Sequence, residues 1–139
     1  MKLITVLFII TSFFVENYSA TVTGFVGKVE EKEESFEKFF KNFCKDTDFQ
    51  LSRIKFPLKI VVLDEETRNE KLIQQSDWRH TDLLKLKKES SKNKLETVHK
   101  SADSKDVVFS NKGTGETVHH LFSKIDNVWY LTSIVDESE

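Results

Sequence analysis

A chain of 139 residues that is 38% apolar and carries 12 Phe has the material for one hydrophobic core and the length of one domain. Its formal net charge of −2 argues against nucleic acid as a partner, and its aromatic content argues against a disordered chain. The single cysteine, Cys44, excludes an intrachain disulfide and a cysteine-based zinc cluster.

Residues 1–20 read as a signal peptide. Lys2 supplies the positive start, Leu3 to Val15 the apolar run, and Ser19 and Ala20 the small residues of a cleavage site. Tyr18 is large where a small residue is expected, which leaves open the cleavage position and retention of the leader as an anchor. The run is too short for a good transmembrane span. The expectation is therefore an exported protein, periplasmic or extracellular once the leader is removed, with no membrane span in the mature chain. Residues 21–34 read as a flexible lead-in whose second half is acidic, with Glu30, Glu31, Glu33 and Glu34. Such runs are usually solvated.

A single α+β domain is expected over residues 35–139. Phe36, Phe39, Phe40, Phe43 and Cys44 recur at i, i+3, i+4, i+7 and i+8, which predicts an amphipathic helix over 35–45 with its apolar stripe in the core. Ser35 is the expected N-cap. Asp46-Thr47-Asp48 breaks the helix, and Phe49 to Arg53 reads as a turn or a second helical piece. Lys55 to Leu63 reads as a strand with Phe56, Leu58, Ile60 and Val62 on one face. Pro57 has no backbone donor, which predicts an edge strand or a strand start. Asp64 to Asn69 is a turn. Glu70 to Gln75 is open between strand and helix, and Ser76-Asp77 is placed as the cap of a short helix carrying Trp78.

From Leu83 onward the pattern predicts an extended meander, with Leu84 and Leu86 alternating with Lys85 and Lys87. Lys112-Gly113-Thr114-Gly115 reads as a hairpin loop. Asp126-Asn127 reads as a two-residue hairpin in the left-handed conformation, joining strands over Thr117–Ile125 and Val128–Val135. The fold class is α+β, with the N-terminal helix packed on a mostly antiparallel sheet.

The pattern Phe36-x-x-Phe39-Phe40-x-x-Phe43, then Asp46-x-x-Phe49-Gln50-x-x-Arg53-Ile54-x-Phe56-Pro57-Leu58, then Trp78, resembles a family of exported bacterial proteins of unknown function. That family is similar in fold to the nuclear transport factor two-like superfamily. The closing strand Val128-Trp129-Tyr130-Leu131-Thr132-Ser133-Ile134-Val135-Asp136 resembles the last strand of that superfamily. The resemblance spans residues 35–136 and implies a curved sheet wrapped around the N-terminal helix, a cone with an internal pocket. It assigns no catalytic residue, since the superfamily mixes enzymes, ligand binders and interaction modules on one scaffold.

The candidate site residues are Arg53, Trp78, His80, His119, His120, Trp129 and Tyr130. Arg53 could bind an anionic ligand bidentately, but an ion pair with Asp46 or Asp48 is the simpler expectation. Trp78, Trp129 and Tyr130 could line a ligand pocket or lie in the core. His119 and His120 are adjacent on a strand and point to opposite faces, so either one alone could act as a general base. His80 and Asp82 have a spacing that could hold a metal, but no third ligand is identified, so neither metal nor cofactor is expected. Asp77, Asp82, Asp103 and Asp106 are candidate carboxylates by type only, with no spacing that sets one beside a histidine. Lys85, Lys87, Lys88, Lys92 and Lys94 form a basic stretch read as a solvated hairpin, with anionic lipid or polysaccharide as the other option. Cys44 reads as a small core residue.

The leading functional reading is a non-enzymatic module that binds an unknown small ligand or protein partner, with a homodimer through the open sheet face also compatible. The alternative is a small-pocket enzyme, isomerase- or hydrolase-like, using His/carboxylate acid–base chemistry. It requires a His and a carboxylate within about 3.2 Å of each other in a closed apolar cavity.

Overall fold

A computed structural model describes residues 33–139 of the chain. The residues expected to form a leader, and those of the expected lead-in except Glu33 and Glu34, lie outside the described residues. Among the described residues no helix is long and apolar enough to cross a membrane.

The phenylalanine stripe forms helix α1 (Phe36–Lys45), with Phe36, Phe39, Phe40, Phe43 and Cys44 all buried. Ser35 holds the N-cap position, but its side chain caps nothing. Its hydroxyl donates to Glu37 Oε2 at 2.7 Å, and the Ser35 carbonyl accepts from Phe39 N–H. Asp46 alone makes the break. Its extended backbone ends α1, and its Oδ1 accepts from Phe49 N–H at 2.8 Å to start α2 (Thr47–Ser52).

Strand β1 (Ile54–Leu63) follows. Leu58 is buried in the core and Phe56 and Ile60 pack against it, as the alternation predicts. Of the two options drawn from Pro57, the edge strand is overturned, because β1 lies inside the sheet between β2 and β6. The missing donor is tolerated because Pro57 falls in a gap of both ladders. Pairing with β2 starts at Leu58, and the register on β6 jumps from Ile54↔Leu131 to Lys59↔Ser133. Strand β2 (Arg68–Ile73) resolves the ambiguous segment as extended chain. Gln75–Asp77 is a single 3₁₀ turn rather than a Ser76-capped helix, and Trp78 follows it in extended conformation.

A larger correction comes at Leu83. Residues Leu83–Glu89 form helix α3, where the Leu/Lys alternation had predicted extended chain. Asp82 decides it by accepting the Lys85 N–H at 2.9 Å as an N-cap. Three leucines at 83, 84 and 86 fit a helical face as well as a strand, and the cap removes the tie. Strands β3 (Asn93–Ser101), β4 (Ser104–Asn111), β5 (Glu116–Ile125) and β6 (Val128–Asp136) then run as hairpins. Gly115 takes φ +75° in the β4–β5 loop, and Asp126 and Asn127 take φ 50° and 63° between β5 and β6, as expected of a two-residue hairpin.

The sheet order is β2-β1-β6-β5-β4-β3, antiparallel throughout except for the parallel pair β1–β6. The core lies between α1 and one sheet face. Phe122 meets Phe36, Phe39, Phe40 and Phe43 edge-on at 5.3 to 5.9 Å between ring centroids. Burial of each such ring contributes about 2 kcal/mol, which makes this contact the main tie between helix and sheet. Lys105, Val107, Phe109, His120 and Phe122 share this inner face by register, while Asp106, Val108, His119 and Leu121 lie on the outer one.

Candidate ligand-binding groove

Among the described residues the inner face opens in an apolar groove of about 460 Å³ between α1, α3 and β3. Phe36, Phe40 and Leu84 give it an apolar lining, and Thr97 and His99 reach it from β3. Helical spacing explains the rest. Glu37, Lys41 and Lys45 stand at i, i+4 and i+8 beside the phenylalanine stripe, and Lys88 follows Leu84 by four residues on α3. Among the described residues, Lys41, Lys45 and Lys88 make no ion pair. Glu37 is engaged with Ser35, and that hydrogen bond holds its carboxyl below the ordinary range, with backbone bonding and the positive fields of His99 and Lys105 adding to it.

None of the seven candidate residues lines this groove. Arg53 pairs neither with Asp46 nor with Asp48. Its guanidinium takes Glu34 bidentately at 2.9 and 3.0 Å, donates to the Trp129 carbonyl at 3.3 Å and lies over the Phe49 ring. Glu34 Oε2 also accepts the Trp129 N–H, so this acid, expected to be solvated, fastens the start of the domain to β6. Its neighbour Glu33 pairs with Lys124, whose ammonium holds the Glu33 carboxyl below its ordinary range.

Trp78 donates its indole N–H to Gln50 and meets Phe56 edge-on at 6.4 Å. Trp129 is buried in the core, and Tyr130 is half-buried beneath the Lys55 ammonium. His80 is exposed, Asp82 is spent as the cap of α3, and no group of three metal-binding side chains occurs among the described residues. The basic stretch is no hairpin. Lys85, Lys87 and Lys88 lie on α3, Lys94 pairs with Glu96 on β3, and only Lys88 of the five reaches the groove.

His119 and His120 point to opposite faces as expected. His120 is buried against the core, and its Nδ1 lies 3.3 Å from the Val107 carbonyl, which fixes the proton on that nitrogen. Desolvation pushes its pKa down to about 4, so it is neutral at pH 7 and lies away from the groove lining. His119 Nδ1 lies 2.9 Å from Asp106 Oδ2, a pair that no sequence spacing revealed. Glu137 stands 3.5 Å from His119 Nε2, and Lys100 stands 3.8 Å from Asp106. Asp106 is 3% exposed, and its Oδ1 has no partner among the described residues. The pair meets the distance condition for acid–base chemistry, but it sits on the outer sheet face, away from the apolar groove.

A curved mixed sheet with helices on its inner face is the NTF2-like architecture. A family model matches residues 34–138, and the chain belongs to that family, an uncharacterised NTF2-like one. The chain is similar to an NTF2-like protein from Bacteroides fragilis, with 25% identity and a TM-score of 0.58 over 79% of this chain and 50% of that one. It thus spans half the length of that relative. A cystatin-like protein from Bacteroides caccae aligns with 22% identity and a TM-score of 0.57, over 76% of this chain and 77% of that one. A protein from Bacteroides uniformis aligns with 25% identity and a TM-score of 0.54, over 73% and 76% of the two chains. No protein of curated function matches the chain.

Proposed function

We propose that this domain is a non-enzymatic binding module that takes a small ligand in the groove between α1, α3 and β3. The observation that carries the reading is the meeting of an apolar lining, Phe36, Phe40 and Leu84, with an opening of about 460 Å³. Sites of this kind are concave, mostly apolar and sparing in polar groups, with volumes of roughly 300–1,000 Å³. The groove is tested with the full chain and the environment-sensitive probe N-phenyl-1-naphthylamine. Binding is expected to raise probe fluorescence. Thr97→Trp, which fills the groove from an exposed position on β3, is expected to abolish the rise with an unchanged unfolding midpoint. Equal enhancement by wild type and Thr97→Trp would place the probe elsewhere and overturn the reading.

The leader-like pattern of residues 1–20 supports the further proposal that the domain acts after export, in the periplasm or outside the cell. N-terminal sequencing of the protein recovered from cell envelope and medium checks it: a mature chain starting near Thr21 is expected, and an intact Met1 in the cytosol would contradict it. The acid–base reading keeps one supporting observation, the 2.9 Å contact of His119 and Asp106. It is the weaker reading because the pair shares no cavity with the apolar groove. Any turnover abolished by His119→Ala would restore it.

A further inference from the structure

We infer that the ligand of the groove is a single-chain anionic amphiphile, an unbranched apolar chain ending in a carboxylate or phosphate. The inference rests on the groove reading above and adds to it the chemistry of the rim. Three ammonium groups, on Lys41, Lys45 and Lys88, border an apolar floor, against one carboxylate, on Glu37. The three cations have no acidic partner among the described residues, whereas Glu37 is already bonded to Ser35. The rim therefore offers charge for a ligand anion to neutralise.

The charges are also ordered along the groove. Glu37 stands in the first turn of α1, Lys41 one turn further, and Lys45 at the end of the helix. Lys88 stands in the last turn of α3. A head group is placed at the lysine end, with the chain running over Phe40 toward Phe36 and His99. The helices present side chains only, because mid-helix amides are already bonded within their own turns. Against the helices a peptide would leave its own amides short of partners, whereas a hydrocarbon chain has none to satisfy.

The test uses the full chain with bound N-phenyl-1-naphthylamine and three competitors below their micelle concentrations: dodecanoate, dodecyl phosphate and dodecyl maltoside. Both anionic competitors are expected to displace the probe at about tenfold lower concentration than the neutral one. The double variant Lys45→Gln/Lys88→Gln is expected to lose that preference. Which anion displaces at lower concentration separates a carboxylate from a phosphate ligand. Displacement by dodecyl maltoside at the same concentration as the anions would overturn this inference and leave the groove reading standing, as would an anionic preference that survives the double variant. Failure of the probe to bind would overturn the groove reading itself, and this inference with it.

Discussion

The buried side-chain amide of Gln50 accepts the indole N–H of Trp78 at 2.9 Å, and this one contact ties the second helix to a loop 28 residues away. The same amide accepts from Thr81 N–H and donates to the carbonyls of Phe43 and Thr81. Gln50 has no solvent exposure, and every hydrogen-bonding site of its amide is used. An amide that is buried and fully bonded specifies one arrangement of the chains it joins.

Gln50→Leu keeps the volume and strands four partners. The variant is expected to be destabilised by about 3 kcal/mol, since unpaired buried polar groups dominate the cost. Urea unfolding followed by tryptophan fluorescence measures it. A loss below about 0.5 kcal/mol would show that water replaces the amide at no cost.

Arg53 grips Glu34 through two nitrogens while both side chains are mostly shielded from solvent. A lysine cannot reproduce the fork. Arg53→Lys is expected to cost roughly 1–2 kcal/mol, and Asp48→Asn, which touches none of these contacts, is expected to cost nothing measurable. Equal effects of the two substitutions in denaturant unfolding would reinstate the Asp48 pairing that the sequence suggested.

His120 makes stability pH-dependent in a defined direction. Its folded pKa is lowered to about 4 from an ordinary 6.5, so the unfolded chain takes up the proton first. Its contribution is intact above pH 6.5 and falls progressively between pH 6.5 and about 4, by roughly 3 kcal/mol in all. His120→Leu is expected to flatten the pH profile of the unfolding midpoint across that window. An unchanged slope in the variant would assign the dependence to other groups.

Cys44 is fully buried, and desolvation raises its pKa to about 11. The native thiol is expected to resist maleimide at pH 7 and to react on the timescale of unfolding in urea. Rapid labelling of the native protein would mean that the end of α1 opens locally.

The phenylalanine stripe and the Asp126-Asn127 hairpin were legible because each is a local rule, helical spacing in one case and left-handed tolerance in the other. Helix α3 was not, since three leucines among lysines satisfy two periodicities and only the Asp82 cap separates them. The site was less legible than the fold. Lys41 and Lys45 read as the solvent face of α1, and their place on the groove depends on α3 and β3 closing beside them. Likewise Asp106 meets His119 through the β4–β5 register, and Glu34 meets Arg53 from 19 residues away and Trp129 from 95 residues away. Pairings of that kind are set by topology, which no spacing within a short window records.

The parallel pairing of β1 with β6 has a consequence for biosynthesis. It joins β1, the first strand among the described residues, to β6, the last strand among them. A nascent chain that stops before Val128 has no strand to bridge β1 and β5, and it holds the β1–β2 hairpin on one side of an open seam and the three-stranded β3–β4–β5 meander on the other. Vectorial synthesis therefore cannot close this sheet piecemeal, and a chain cut before Val128 loses an interior strand instead of a margin.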